Sequence, residues 1–206
     1  MDRDALVTFA KRKLRIGAAG EALLSDPILA DLVNEALRHF CRERHWPWLL
    51  TSASVSVATT GIGSLPSDYM ASRALLDADG NHVPYVGIDE LLRSSNRYVW
   101  TENGVSIHVE PAPSATTSFT LWYYQKEDDL ASGSTSPIAP AIYHDPIGIW
   151  AAHLGALHRR DMDHAALLAA EYQQEVNRMA DVIFRKKGQT VRVTTRGELG
   201  GQLGRW

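Results

Sequence analysis

At 206 residues, with 45% hydrophobic and 22% charged residues, the chain has the composition of one globular domain with a sizeable core. No apolar run approaches the ~20 residues of a membrane span, the opening Met1-Asp2-Arg3-Asp4 does not read as a signal peptide, and the single cysteine excludes an internal disulfide. Net charge is −3 but uneven: residues 185–206 hold six Lys or Arg against one Glu, leaving −8 on residues 1–184.

Asp2 to about Ile16 reads as a short amphipathic helix with Leu6, Phe9, Ala10 and Leu14 on one side. Asp26-Pro27 opens a second helix, Asp as N-cap and Pro at the first helical position. Its apolar residues recur four apart, from Ile28/Leu29 through Leu32/Val33 and Ala36/Leu37 to Phe40/Cys41. Cys41 falls on that stripe, which makes it a small buried hydrophobe and places folding in a reducing cytoplasm. The helical period stops at Pro47. Trp46, Pro47 and Trp48 form a structural junction at which two large aromatics wedge a helical layer against a β layer.

Beyond the junction the period is two. Ala53, Val55, Val57 and Thr59 share one face of a strand, and the serines share the other. Gly61-Ile62-Gly63 is a turn, Leu65-Pro66 leads to a strand from Met70 to Leu76, and Asp79-Gly80 marks a hairpin. The returning segment carries Pro84, the mark of an edge strand. Ile88 to Ser95 has room for a helical turn or two. Asn103-Gly104 marks another hairpin between Tyr98–Trp100 and Val105–Glu110, and Thr117–Gln125 is a strand rich in β-formers. Six short strands are expected between residues 51 and 126, enough for a small barrel or sandwich.

Residues 127–141 read as a solvated polar loop, Glu127-Asp128-Asp129 included. Asp145-Pro146 then opens a helical stretch reaching Lys186, which as one helix would be about 60 Å long. Ile147, Trp150, Leu154 and Leu157 make one stripe; Ala165, Ala169, Tyr172, Val176, Met179 and Ile183 make another. The stripes are out of phase across Arg159 to Asp163, so a turn belongs there and the second helix carries a coiled-coil-like seam. The outer flank of that seam, at Glu171, Glu175 and Arg178, is expected to face a neighbouring subunit or a channel. After Gly188 the chain has too little apolar content to fold alone.

The expected fold is α+β: a bundle of about four helices with an inserted small antiparallel β domain and an extended C-terminal tail. The divisions are 1–50, 51–126, 127–187 (sharing a core with 1–50) and 188–206. No catalytic constellation emerges. His153 and His158 are five apart, the wrong spacing for a zinc pair on one helix face, and no His-Glu-x-x-His, Walker-type or Gly-x-Ser-x-Gly pattern occurs. No enzyme activity, metal or cofactor is expected. A rival function is nucleic-acid binding through Tyr98, Trp100, Trp122, Tyr123 and Tyr124 together with the basic tail, though few basic residues interleave with those aromatics.

The layout as a whole resembles the head-to-tail adaptor, or connector, proteins of tailed bacteriophages. The matching parts are the helix ending in Phe40-Cys41, Trp46-Pro47-Trp48-Leu49 after it, Leu65-Pro66-Ser67-Asp68-Tyr69, the β insert, Asp145-Pro146 and the helical pair with its tail. The resemblance implies a homo-oligomeric ring, usually of twelve subunits, in the virion neck and assembled in the host cytoplasm. Its partners would be the portal protein, a downstream neck or tail protein, and DNA passing through the bore without sequence-specific contacts; no membrane is involved. It also implies that the C-terminal segment docks on the portal. There Val191 and Val193 would add a strand to a sheet edge, Leu199, Leu203 and Trp206 would anchor, and Arg192, Arg196 and Arg205 would meet acidic groups.

Overall fold

A computed structural model describes residues 1–17, 23–93 and 97–185. Among these residues five α-helices and seven β-strands alternate as α, α, six strands interrupted by one short helix, a last strand, then two α-helices. The class is α+β, as the period changes at Pro47 and Asp145 suggest.

Helix α1 spans Arg3–Lys13, and its N-cap Asp2 accepts a hydrogen bond from Ala5 N. Helix α2 spans Asp26–Glu43. Its N-cap is Ser25, so Asp26 is the first helical residue rather than the cap, where its charge still meets the positive end of the helix. Helix α4 spans Asp145–His158 and α5 spans Met162–Arg185, broken where the two apolar stripes change phase. These four helices share one apolar core built from Leu6, Leu29, Val33, Leu37, Phe40, Ile147, Ala152, Tyr172 and Val176, among others.

The face that α4 buries follows its large residues only in part: Ile147 and Ile149 are buried, but the stripe beyond them is not. Leu157 is exposed and Trp150 half-buried, whereas Gly148, Ala151, Ala152, Gly155 and Ala156 are buried. Helix α4 touches α1, α2 and α5, and three neighbours approach closely only across small side chains. A Cβ on Gly148 would stand 2.5 Å from Phe9 Cδ1, and one on Gly155 2.7 Å from Leu14 Cδ1.

The sheet runs β4-β3-β7-β1-β2-β6-β5, with β1 Leu50–Val57, β2 Ile62–Ser64, β3 Tyr69–Leu76, β4 His82–Val83, β5 Val99–Asn103, β6 Ser106–Glu110 and β7 Thr117–Gln125. Every strand pair is antiparallel. The chain just after β4 then closes the sheet into a near-barrel by a parallel bridge of Tyr85 to Trp100, with Val86 N donating to Trp100 O at 2.9 Å and Trp100 N to Pro84 O at 3.0 Å. Period-two burial holds where it should: Val55, Val57, Leu75, Ile107, Val109, Phe119, Leu121 and Tyr123 fill the interior. Strand β1 stops at Val57, so Thr59 lies in the following turn, exposed. The seventh strand is β2, which takes in Ile62 and Gly63; only Gly61, at φ +77°, belongs to the turn. The short helix α3, Ile88–Leu91, packs Leu91 with Val86 and Val99 in a small separate cluster.

Candidate interaction surfaces

The junction is an aromatic stack. Trp46 is fully buried, and its indole N–H donates to Phe40 O at 2.9 Å, which satisfies the one polar atom that burial would strand. Pro47 is exposed and opens a 3-10 turn, Pro47–Leu49. Trp48 is half-buried rather than enclosed; it stacks on Trp46 at 5.0 Å and on Tyr143 at 5.3 Å. Phe184, in the last turn of α5, comes within 6.3 Å of the Trp46 ring. The start of the barrel, the start of α4 and the end of α5 therefore meet at one place.

The loop 127–141 is largely exposed, as a solvated loop should be, but it is strapped to the helices at a few points. Glu127 is buried; Ile138 N donates to its Oε1 at 2.5 Å and Cys41 Sγ lies 3.6 Å from its Oε2. Burial pushes the Glu127 carboxyl up from its ordinary value and the Cys41 thiol up as well. Asp129 pairs with Arg38, Leu130 N donates to Asn34 Oδ1 at 2.9 Å, and Arg3 donates to the carbonyls of Leu130 and Ala131. Asn34, Arg38 and Cys41 recur at three- and four-residue spacing on α2. Their partners lie some 90 residues on, so only the three-dimensional structure brings this site together.

On α5, Tyr172, Val176 and Met179 are buried, together with Leu168 and Ala180, while Ala169 and Ile183 of the expected stripe are half-buried. Glu171 closes an ion pair with Lys13 of α1, inside the subunit. Glu175 sits 3.5 Å from Arg178, which is exposed. Tyr172 O–H donates to Glu43 at 2.5 Å, and burial first, then that carboxylate, pushes its pKa up.

Of the barrel aromatics, Trp100 and Tyr123 are core, Tyr98 packs edge-on to Phe119 at 5.4 Å, and Tyr124 stacks on His45 at 4.5 Å. Tyr123 O–H donates to Asp68 at 2.9 Å, and its pKa is pushed up to about 12 by burial and that carboxylate. Of the five candidates only Trp122 is exposed, so those five do not form a stacking platform open to solvent. The histidines are likewise dispersed. His144 is buried against Ala139 O, His153 contacts Ala165 O, and no cluster of three or more metal-ligating side chains occurs among the described residues. No described helix is long and apolar enough to cross a membrane. The expected docking arm, Val191, Arg192, Val193, Arg196, Leu199, Leu203, Arg205 and Trp206, lies outside the described residues.

A family model for the SU10 adaptor protein matches residues 1–198. The chain belongs to that family. The match takes in the helical core, the barrel and most of the segment beyond α5, so it covers the whole layout rather than one motif. No curated protein matches the chain. An adaptor of this family is a bacteriophage structural protein, a part of the virion that acts with portal and tail proteins.

Proposed function

We propose that this adaptor forms a closed ring, usually of twelve copies, beneath the portal in the phage neck, and joins capsid to tail around the DNA channel. The observation that carries the reading is the family match over nearly the full chain. The ring assembles in the host cytoplasm, and DNA passes through it without sequence-specific contacts.

A closed ring of identical subunits needs heterologous, head-to-tail contacts. The outward flank of α5 around Glu175 and Arg178 supplies one such surface, facing a neighbour or the channel. Residues 188–206 form the portal-docking arm, with the alternation of Val191 and Val193 suited to strand addition and Arg192, Arg196 and Arg205 suited to an acidic socket. The barrel is an insert between helices that share one core. Nucleic-acid recognition by the barrel is disfavoured, since four of its five candidate aromatics are wholly or partly packed away.

The test is truncation. A chain ending at Lys187 is expected to keep its melting temperature within a degree or two and to lose most of its affinity for purified portal. Undiminished portal binding by the truncated chain contradicts the role given to the arm.

A further inference from the structure

Helices α1 and α4 end in the same way, side by side. In α1, Ile16 N donates to Lys11 O at 2.9 Å and Arg15 N to Arg12 O at 3.1 Å; in α4, Asp161 N donates to Ala156 O at 3.0 Å and Arg160 N to Leu157 O at 2.9 Å. Both are complete Schellman caps, which place the residue after the cap in the left-handed region where glycine is usual. Here both positions hold arginine, Arg15 at φ 57° and Arg160 at φ 61°. They are the only non-glycine residues with positive φ among the described residues. Arg159 Nη1 donates to Leu14 O at 3.1 Å and so ties one cap to the other.

An L side chain in the left-handed region strains the backbone, and glycine would remove the strain. The helix dipole does not call for arginine there, since Lys11, Arg12 and Lys13 already lie in the last turn of α1. Both arginines are exposed, and neither has a carboxylate partner among the described residues. Exposed Leu23 and Met162 flank the same end of the bundle. That end is the one remote from the barrel: α4 starts at the junction, where Tyr143 stacks on Trp48, and α5 returns to it at Phe184.

The barrel is the chemical complement. Residues 50–125 carry seven carboxylates against three arginines, a net of −4. Around α3 its wall exposes Tyr85 just before the helix, Ile88 within it and Leu92 at its C-cap, the last 75% exposed, beside the exposed Asp89 and Glu90 and the exposed Arg93. We propose that the arginine pole at the ends of α1 and α4 docks on the α3 face of the barrel of a second copy of this chain. One chain then carries two unlike patches, one headed by Arg15 and Arg160 beside Leu23 and Met162, the other by Asp89 and Glu90 beside Ile88 and Leu92, as a heterologous contact requires. A protein partner is favoured over nucleic acid because Leu23 and Met162 have nothing to meet on a phosphate backbone. The inference rests on the ring reading and names the two surfaces that would meet in it.

The experiment uses the full chain and follows assembly by mass photometry with the melting temperature of each variant in parallel. Arg15→Gly with Arg160→Gly is expected to leave the melting temperature unchanged or raised while moving the half-assembly concentration up by about tenfold or more. Arg15→Glu with Arg160→Glu is expected to abolish assembly, because like charges then face each other. Adding Asp89→Lys and Glu90→Lys to that same chain is expected to restore it. Glycine or charge-reversed pole variants that assemble like wild type overturn the proposal, as does a four-site variant that folds but recovers nothing. Loss of salt-sensitive duplex-DNA binding with assembly intact would also overturn it, in favour of a DNA-facing pole. A wild-type chain that stays monomeric with and without portal removes the ring reading itself, a result distinct from all of these.

Discussion

Trp46 and Trp48 stack with centroids 5.0 Å apart and planes 8° from parallel, although only Trp46 is fully buried. Trp46 also packs on Phe40 at 5.1 Å and on Phe184 at 6.3 Å, so it belongs to the helical core, while Trp48 bridges toward Tyr143. Trp46→Ala is expected to cost about 3–5 kcal/mol and Trp48→Ala about half as much. Denaturant unfolding of the two variants checks this; equal losses would contradict the division of roles.

Two glycines of α4 invite the opposite change. An alanine gains about 1 kcal/mol of helix propensity over glycine, but its methyl group must find space. At Gly155 it would meet buried Leu14, and at Gly148 half-buried Phe9, which has room to swing aside. Gly155→Ala is expected to be destabilising by about 1–2 kcal/mol net, and Gly148→Ala close to neutral. Thermal melts of both variants decide it, and a stabilised Gly155→Ala would show that α1 and α4 are packed less closely than described.

Glu127 gives a pH dependence with a definite sign. Its folded-state pKa is raised by burial, so the folded chain holds a proton that the unfolded chain has already released. Its contribution is fully present below the ordinary carboxylate range and is lost as pH rises through the raised value. Glutamine at this position keeps an acceptor for Ile138 N and carries no charge. The stability of Glu127→Gln relative to wild type is therefore expected to improve as pH rises from about 4 toward neutrality. Parallel stability curves across that range would contradict a buried, raised Glu127.

Several features of the fold are legible in the sequence for physical reasons. The break in the last helical stretch shows because two apolar stripes cannot lie on one face of one helix, and Thr117–Gln125 shows because β-branched and aromatic residues crowd it. The buried face of α4 shows only in part. Ile147 of its stripe is buried, but three neighbouring helices enclose the glycines and alanines with it rather than Trp150 and Leu157, and no local pattern records how many neighbours a helix has. Within Glu127-Asp128-Asp129 only the first residue misleads: Asp128 and Asp129 are exposed, whereas Glu127 is buried against Cys41 and the Ile138 N–H. The closure of the sheet by Pro84 to Val86 depends on pairing with Trp100, which no short-range signal encodes. Glu171, on the expected outer flank, pairs with Lys13 of α1, a contact 158 residues away in sequence that no local pattern encodes.

Glu175 tests that flank directly. Its pair with Arg178 is on an exposed helix face and is worth less than about 1 kcal/mol. Glu175→Lys is therefore expected to leave the melting temperature nearly unchanged and to impair assembly measured by light scattering. A variant that unfolds, or one that assembles like wild type, would remove α5 from the subunit contact.

The central claim is that this adaptor closes into a ring on the portal. Mass photometry of the 22.8 kDa chain, alone and mixed with purified portal, measures that most directly. The account predicts a discrete portal-bound species whose added mass corresponds to a single closed ring of about twelve copies. A chain that remains monomeric beside the portal, or that binds it in no fixed number, would contradict it.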